Sequence, residues 1–303
     1  MDKTFKRFCY SGNLYVAKML FFVIKFNTSN PINFQHLFRD VCSQGQINVA
    51  QWILQINPDI DISAGSESAF RNACYYGQLN VAKWLLEVCP DINISVCNEY
   101  AFHNACVNGH LLVAQWLLQI KPTINISIWE DLTFSNSCLN GHLLVAQWLL
   151  TVNPDINISK NNEYIFRRVC QYGQLNVAQW LLQVKPDINF SAENESAFRN
   201  TCDNAFLTDS RLNINLKRTI IRTPLSLQHL EIAKWLQSLK PYLYKIEYST
   251  DNYNYYYICS KEEERWQRRK LLLWLASDDS PDKNNLFYRI PEDVSRYIIQ
   301  MYL

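Results

Sequence analysis

Glycine is scarce, at 7 of 303 residues. That leaves little room for glycine-rich loops that cradle phosphate, and the sequence holds no P-loop, nucleophile elbow or metal-binding helix motif. A dominant charge is also missing. Lys+Arg number 29 and Asp+Glu 28, so no global field points to nucleic acid or to an anionic membrane. Long apolar runs are absent too. The stretch from Met19 to Ile24 is bracketed by Lys18 and Lys25 and is too short to cross a bilayer. It reads better as part of a helix pair. These absences predict an intracellular, cytoplasmic, monomeric protein that is no enzyme, takes no cofactor and has neither membrane nor nucleic acid as partner.

What is present is a core. Apolar residues make up 48% and aromatics 14%, which excludes a disordered chain. The 10 cysteines would suggest disulfides in a secreted chain, but their placement follows a repeat. Gly45, Gly77, Gly109, Gly141 and Gly173 recur every 32 residues, and Gly12 lies 33 before Gly45. Seven after each of the five stands Trp52, Trp84, Trp116, Trp148 or Trp180. Seven before each of the six glycines stands Phe5, Phe38, Phe70, Phe102, Phe134 or Phe166. Three before stands Cys9, Cys42, Cys74, Cys106, Cys138 or Cys170, and five after stands Ala17, Ala50, Ala82, Ala114, Ala146 or Ala178. Pro58, Pro90, Pro122, Pro154 and Pro186 close most copies.

This spacing predicts two short helices per copy. Phe70, Ala73 and Cys74 share one helical face, and Gly77 permits a tight turn. The next helix shows a narrow polar stripe, Asn80, Lys83 and Glu87, so it is apolar on most sides. Pro90 ends it, and an extended segment follows. One such pair cannot bury its own apolar surface, whereas stacked copies can. Full burial of a Phe or Trp contributes at most ~4–6 kcal/mol, so these residues are expected to carry much of each interface.

The stretch from Ser68 to Leu86, with Cys89-Pro90-Asp91-Ile92-Asn93 after it, resembles the ankyrin repeat. The resemblance runs over residues 1–245 and implies an all-α solenoid of stacked antiparallel helix pairs with short hairpin loops. Phe replaces the usual Leu, Cys an Ala, and Trp another Leu. The Asn-, Ile- and Tyr-rich dialect is similar to that of ankyrin proteins of giant DNA viruses, which would place the protein in a host cell. The family implies binding of a partner protein through hairpin tips and the concave helix face. Positions that vary between copies are the candidate contacts: Tyr75, Tyr76, Cys97, Asn98, Trp129, Glu130, Lys160, Asn161 and Tyr172. Asn93, Asn125, Asn157 and Asn189 hold the tail position that a 2-oxoglutarate-dependent asparaginyl hydroxylase modifies in ankyrin proteins. The alternative is that each Asn braces its turn.

The aligned cysteines fill the place of a core Ala, since helices stacked about 8–10 Å apart hold equivalent thiols too far apart to bond. His110 and His142 follow their glycines, where ankyrin repeats commonly carry His. Glu67, Glu99, Asp131, Glu163 and Glu195 precede each first helix, either favouring its N-terminus or forming an acidic ridge. In the seventh copy Phe198 and Cys202 are in register, but the second helix resumes only at Gln228. The insertion near 206–227 carries Arg211, Lys217, Arg218 and Arg222, as a binding finger or as a tolerated loop. Residues 246–303 read as a degenerate capping pair, from Cys259 and a helical run at Glu262 to Ala276, and a last helix. Ile290, Pro291, Val294, Ile298 and Met301 resemble the opening of an F-box. Pox-type ankyrin proteins end in a similar truncated F-box that docks the Skp1 adaptor of a cullin ubiquitin ligase. The other reading of this helix is a cap on the stack.

Overall fold

The computed structural model describes residues 3–27, 32–126, 131–205, 219–220, 224–240, 244–249 and 255–260. Two compact units divide the chain, Met1–Asn157 and Ile158–Leu303. In the first, helices pair in chain order: α1 (Lys3–Tyr10) with α2 (Leu14–Asn27), α3 (Phe34–Ser43) with α4 (Ile47–Ile56), and α5 (Ala64–Tyr75) with α6 (Leu79–Val88). Then come α7 (Val96–Val107) with α8 (Leu111–Ile120), and α9 (Leu132–Leu139) with α10 (Leu143–Val152). The first helices α1, α3, α5, α7 and α9 pack side by side, each on the next. The run from Met19 to Ile24 lies within α2, as its pattern predicts.

The glycine turn is the same device in the six regular copies. Gly77 sits at φ +73°, and the Gln78 N–H reaches back to the Ala73 carbonyl at 2.8 Å. This is the six-to-one bond of a left-handed helix stop, which glycine adopts without steric cost. The next helix starts two residues later and ends before Pro90.

Burial follows the ladder. The phenylalanines, cysteines and alanines are buried, as are Ile53, Leu85, Leu117 and Leu149 on the second helices. Within this unit Phe38 meets Trp84 of the next copy, Phe70 meets Trp116 and Phe102 meets Trp148, at 6.1–6.3 Å between ring centroids. Trp52 is buried against Phe5, but Trp84, Trp116 and Trp148 are only half-buried. The ring touches a neighbouring copy on one side and solvent on the other. Its contribution is therefore nearer ~2–3 kcal/mol than the figure for full burial.

In the second unit α11 (Lys160–Gln171) and α12 (Leu175–Val184) repeat the pair, and α13 (Ala192–Ala205) packs on α11. Strand β1 (Thr219–Ile220) precedes α14 (Pro224–Leu239), and β2 (Tyr244–Ser249) and β3 (Tyr255–Ser260) follow it. The ladder continues with Phe166 against Trp235, 6.4 Å apart. Two expectations change here. The second helix of the seventh copy starts at Pro224, before Gln228, because Pro suits a first helical position. The chain also adds an antiparallel sheet of order β1-β3-β2. Thr219 and Ile220, inside the insertion, pair with Tyr256 and Tyr255. Cys259 lies in β3 rather than in a helix, since the Tyr- and Ile-rich segments favour extended backbone. Arg211, Lys217, Arg218 and Arg222, the run Glu262 to Ala276, and the tail residues Ile290 to Met301 lie outside the described residues.

Candidate protein-binding surface

Successive copies are joined by tips of an uncommon backbone. Gly65, Ser66 and Glu67 all have positive φ, and so do Cys97, Asn98 and Glu99, and Asn161, Asn162 and Glu163. A left-handed residue costs roughly 1–2 kcal/mol unless it is Gly, or to a lesser degree Asn. Three in a row need outside support.

Two sources supply it. The first is an arginine that follows the core Phe. Arg71 donates from Nε to the Ser66 carbonyl at 2.6 Å and from its second amino group to the Gly65 carbonyl at 3.0 Å. Arg167 clamps the carbonyls of Asn162 and Asn161 in the same way, at 2.8 and 3.2 Å. The second is the acid that ends each tip. Glu67, Glu99, Glu163 and Glu195 are buried, at 8–9% exposure, although sequence spacing alone placed them at helix starts. Glu67 accepts the N–H of Asn93 from the next copy at 3.3 Å, and Glu163 accepts that of Asn189 at 3.4 Å. Ser95 and Ser159 donate to Glu99 and Glu163 at 2.6 and 2.7 Å. The acids therefore pin tips together, which disfavours an exposed acidic ridge.

Asn93 and Asn189 close a turn of their own, accepting the N–H of Ser95 and Ser191 at 3.1 and 3.2 Å. Bracing thus accounts for this Asn position, and all four asparagines stay exposed. In one copy Asp61 replaces the Asn. Ser63 then donates its hydroxyl to Asp61 at 2.8 Å, and Glu67 Oε2 is left buried with no partner.

The candidate contacts fall into separate places. Cys97, Asn98, Lys160 and Asn161 are exposed on tips. Tyr75, Tyr76 and Tyr172 lie at the far end of their first helices, at 36%, 51% and 49% exposure. The right-handed part of α5, from Ser68 to Tyr75, is about 12 Å long, so tip and tyrosines of one copy form two sites. Tyr75 and Tyr76 stack edge to face at 4.8 Å. Trp129 and Glu130 lie outside the described residues.

Other exposed residues escaped the sequence reading. Leu112 and Leu144 are 70% and 68% exposed, where other copies carry Asn80 or Asn176. That substitution within the ladder was the available signal. Buried His229 also escaped it: it directly precedes Leu230 of the second helix, as His110 and His142 precede Leu111 and Leu143. Each of these histidines feels the backbone of the preceding copy. His229 Nε2 meets the Gln171 carbonyl at 2.9 Å, and the backbone of Tyr75 and of Val107 favours the protonated forms of His110 and His142.

The ladder thiols do not suit nucleophilic work. Burial pushes Cys9 up to about 12 and raises Cys42, Cys74, Cys106, Cys138 and Cys170 further. Among the described residues no group of three or more His, Cys, Asp or Glu could hold a metal. No described helix is long and apolar enough to cross a membrane.

Comparison with known proteins agrees with this geometry. Residues 37–128 match the family model for ankyrin repeats, in three copies. These residues are ankyrin repeats, a class of module that generally mediates contact between proteins. No curated protein matches the chain. Among solved structures, the ankyrin repeat domain of human ASB11 is similar at 13% identity, covering 76% of this chain and 98% of that one, with a TM-score of 0.44.

Proposed function

We propose that the chain is a non-catalytic scaffold that binds a partner protein through its hairpin tips and the face of its first helices. The observation that carries this is the left-handed, hydrogen-bonded backbone of the tips. Strained backbone is held by buried Glu, and at residues 65–67 and 161–163 also by an Arg clamp, while the side chains of Cys97, Asn98, Lys160 and Asn161 are exposed. Backbone strain that the surroundings over-determine is typical of binding sites, and prior ordering lowers the entropy lost on association. Affinity enrichment from the native cell should yield a partner that shields Cys97 from alkylation. A partner that leaves Cys97 fully reactive, and whose binding survives Asn98→Lys and Asn161→Glu, would remove the tips from the interface.

A second reading rests on the tail sequence. Ile290, Pro291, Val294, Ile298 and Met301 keep the F-box spacing, so the scaffold becomes a substrate adaptor that presents its target to a Skp1-cullin ligase. Skp1 retained by the full chain and lost on deletion of residues 285–303 supports this. Retention that ignores the deletion, or no retention at all, removes it. The giant-virus dialect and a place in the host cytoplasm belong to this same reading.

A further inference from the structure

Arg168 stands apart among the described arginines: it is half-buried and held by aromatic rings, whereas Arg7 is exposed. Arg71, Arg167 and Arg199 spend their guanidinium groups on tip carbonyls, and Arg39 lies beside Asp40. Arg168 does neither. It stands on α11 between Tyr164 and Tyr172, four residues to either side, with its guanidinium carbon 5.8 and 5.3 Å from the two ring centres. One amino group donates to Gln171 Oε1 at 2.6 Å. Its Nε is buried with no hydrogen-bond partner. No carboxylate among the described residues pairs with it. Glu163, one turn away on the same helix, is buried and already accepts from Asn189 and Ser159. Equivalent positions in the other copies carry Asn72, Asn104, Asn136 and Asn200, with an exposed Arg7 in the first and Asp40 in the second, so the fold does not need a cation here.

Three physical points converge. The rings hold the guanidinium in place, so little rotamer entropy remains to be lost on binding. They also keep water from part of it, so an incoming anion gains more than it would at an exposed arginine. Tyr164 and Tyr172 remain 38% and 49% exposed and present apolar area around the charge. Tyr and Arg are the residue types in which binding energy concentrates, especially where a rim excludes water. A carboxylate matches the guanidinium fork in charge and in shape.

We propose that Tyr164, Arg168 and Tyr172 form an anchoring site for an acidic segment of a partner protein, with Arg168 receiving an Asp or Glu carboxylate between the two rings. This rests on the protein-binding reading above and adds the chemistry of what is bound. The test is selection from a random peptide library on the immobilised full chain, in parallel with Arg168→Gln, Arg168→Glu and Arg168→Lys. Each variant is first matched to the parent in far-ultraviolet circular dichroism and urea midpoint. Peptides selected by the parent should be rich in Asp and Glu and should bind Arg168→Gln about tenfold or more weakly. Arg168→Glu should select Lys- and Arg-rich peptides instead, a reversal that a merely structural arginine would not produce. Arg168→Lys keeps the charge without the fork and should still select acids, at lower affinity. Parent pools without acidic enrichment, or acidic pools that bind Arg168→Gln as tightly as the parent, overturn the anchor and leave the scaffold reading in place. Absence of any selectable peptide on all four proteins overturns both.

Discussion

Gly77→Ala is the sharpest test of how neighbouring copies interlock. Two costs add. Gly77 has φ +73°, a conformation that costs an alanine roughly 1–2 kcal/mol. A Cβ there would also lie 2.5 Å from His110 Nδ1 and 2.7 Å from its Cε1, closer than atoms can approach. The ring must move out of its packed place over the turn, an overpacking cost of about 1 kcal/mol. The sum is about 2–3 kcal/mol. His110→Ala removes the obstacle, so in that background the glycine change should cost only the backbone part. Urea unfolding followed by Trp fluorescence on the parent, both single variants and the double variant would give a coupling of about 1 kcal/mol. Gly65 provides the contrast. Its φ is +68°, but the nearest side chain to an added Cβ is Ser68 at 3.2 Å, and Cys97 and Asn161 already occupy that place in other copies. Gly65→Asn should therefore shift the midpoint far less, by about 0.5 kcal/mol. Additivity of Gly77→Ala and His110→Ala within about 0.3 kcal/mol, or equal costs at Gly65 and Gly77, would refute the interlock.

The remaining predictions use the same interfaces. Burial lowers the affinity of His103, His110 and His142 for protons, and His142 also feels the charge of His110. Their stabilisation is complete above the ordinary histidine value of about 6.5 and fades as pH falls below it. The urea midpoint should drop between about pH 7.5 and 5, and less in His110→Gln/His142→Gln, which installs the residue found at Gln46, Gln78 and Gln174; an unchanged slope would contradict this. Asp61→Asn should free Ser63 for the bare Glu67 oxygen and stabilise by about 1 kcal/mol, whereas no gain would mean that the oxygen is otherwise satisfied. Iodoacetamide on the native protein should label Cys97 first and Cys89 more slowly, leaving Cys9, Cys42, Cys74, Cys106, Cys138 and Cys170 intact until unfolding, as read by peptide mass spectrometry. Exposure to an asparaginyl hydroxylase should add oxygen at Asn93, Asn125, Asn157 or Asn189, all exposed; an unchanged intact mass leaves bracing as their whole role.

The parts of this fold that were legible are those governed by local and periodic rules. A residue needed at every interface recurs at every interface, so Phe70, Cys74, Ala82 and the turn at Gly77 declared themselves by spacing. Spacing does not say how deeply a side chain sinks, which is why Trp84 and Trp116 looked more central than they are. The tips were illegible for a different reason. Nothing local makes Cys97, Asn98 and Glu99 adopt left-handed backbone together; bonds made within and between tips hold such segments, as with Glu67 and Asn93, 26 residues apart. The strands after α14 carried a local signal, Tyr244, Ile246 and Tyr248 alternating with Lys245, Glu247 and Ser249, which the helical repeat before them overshadowed. The site residues were hardest, and for a physical reason. The ladder has to repeat in order to stack, so it carries no information about any one partner. Specificity must reside where a copy departs from the others without the stack requiring it. Arg168 is such a place: the position is Asn in most copies, the two tyrosines stand one turn to either side, and the fold leaves the cation without a counter-charge among the described residues. By that logic Leu112 and Leu144 stand next in line, as apolar departures on a face that elsewhere shows Asn80 and Asn176.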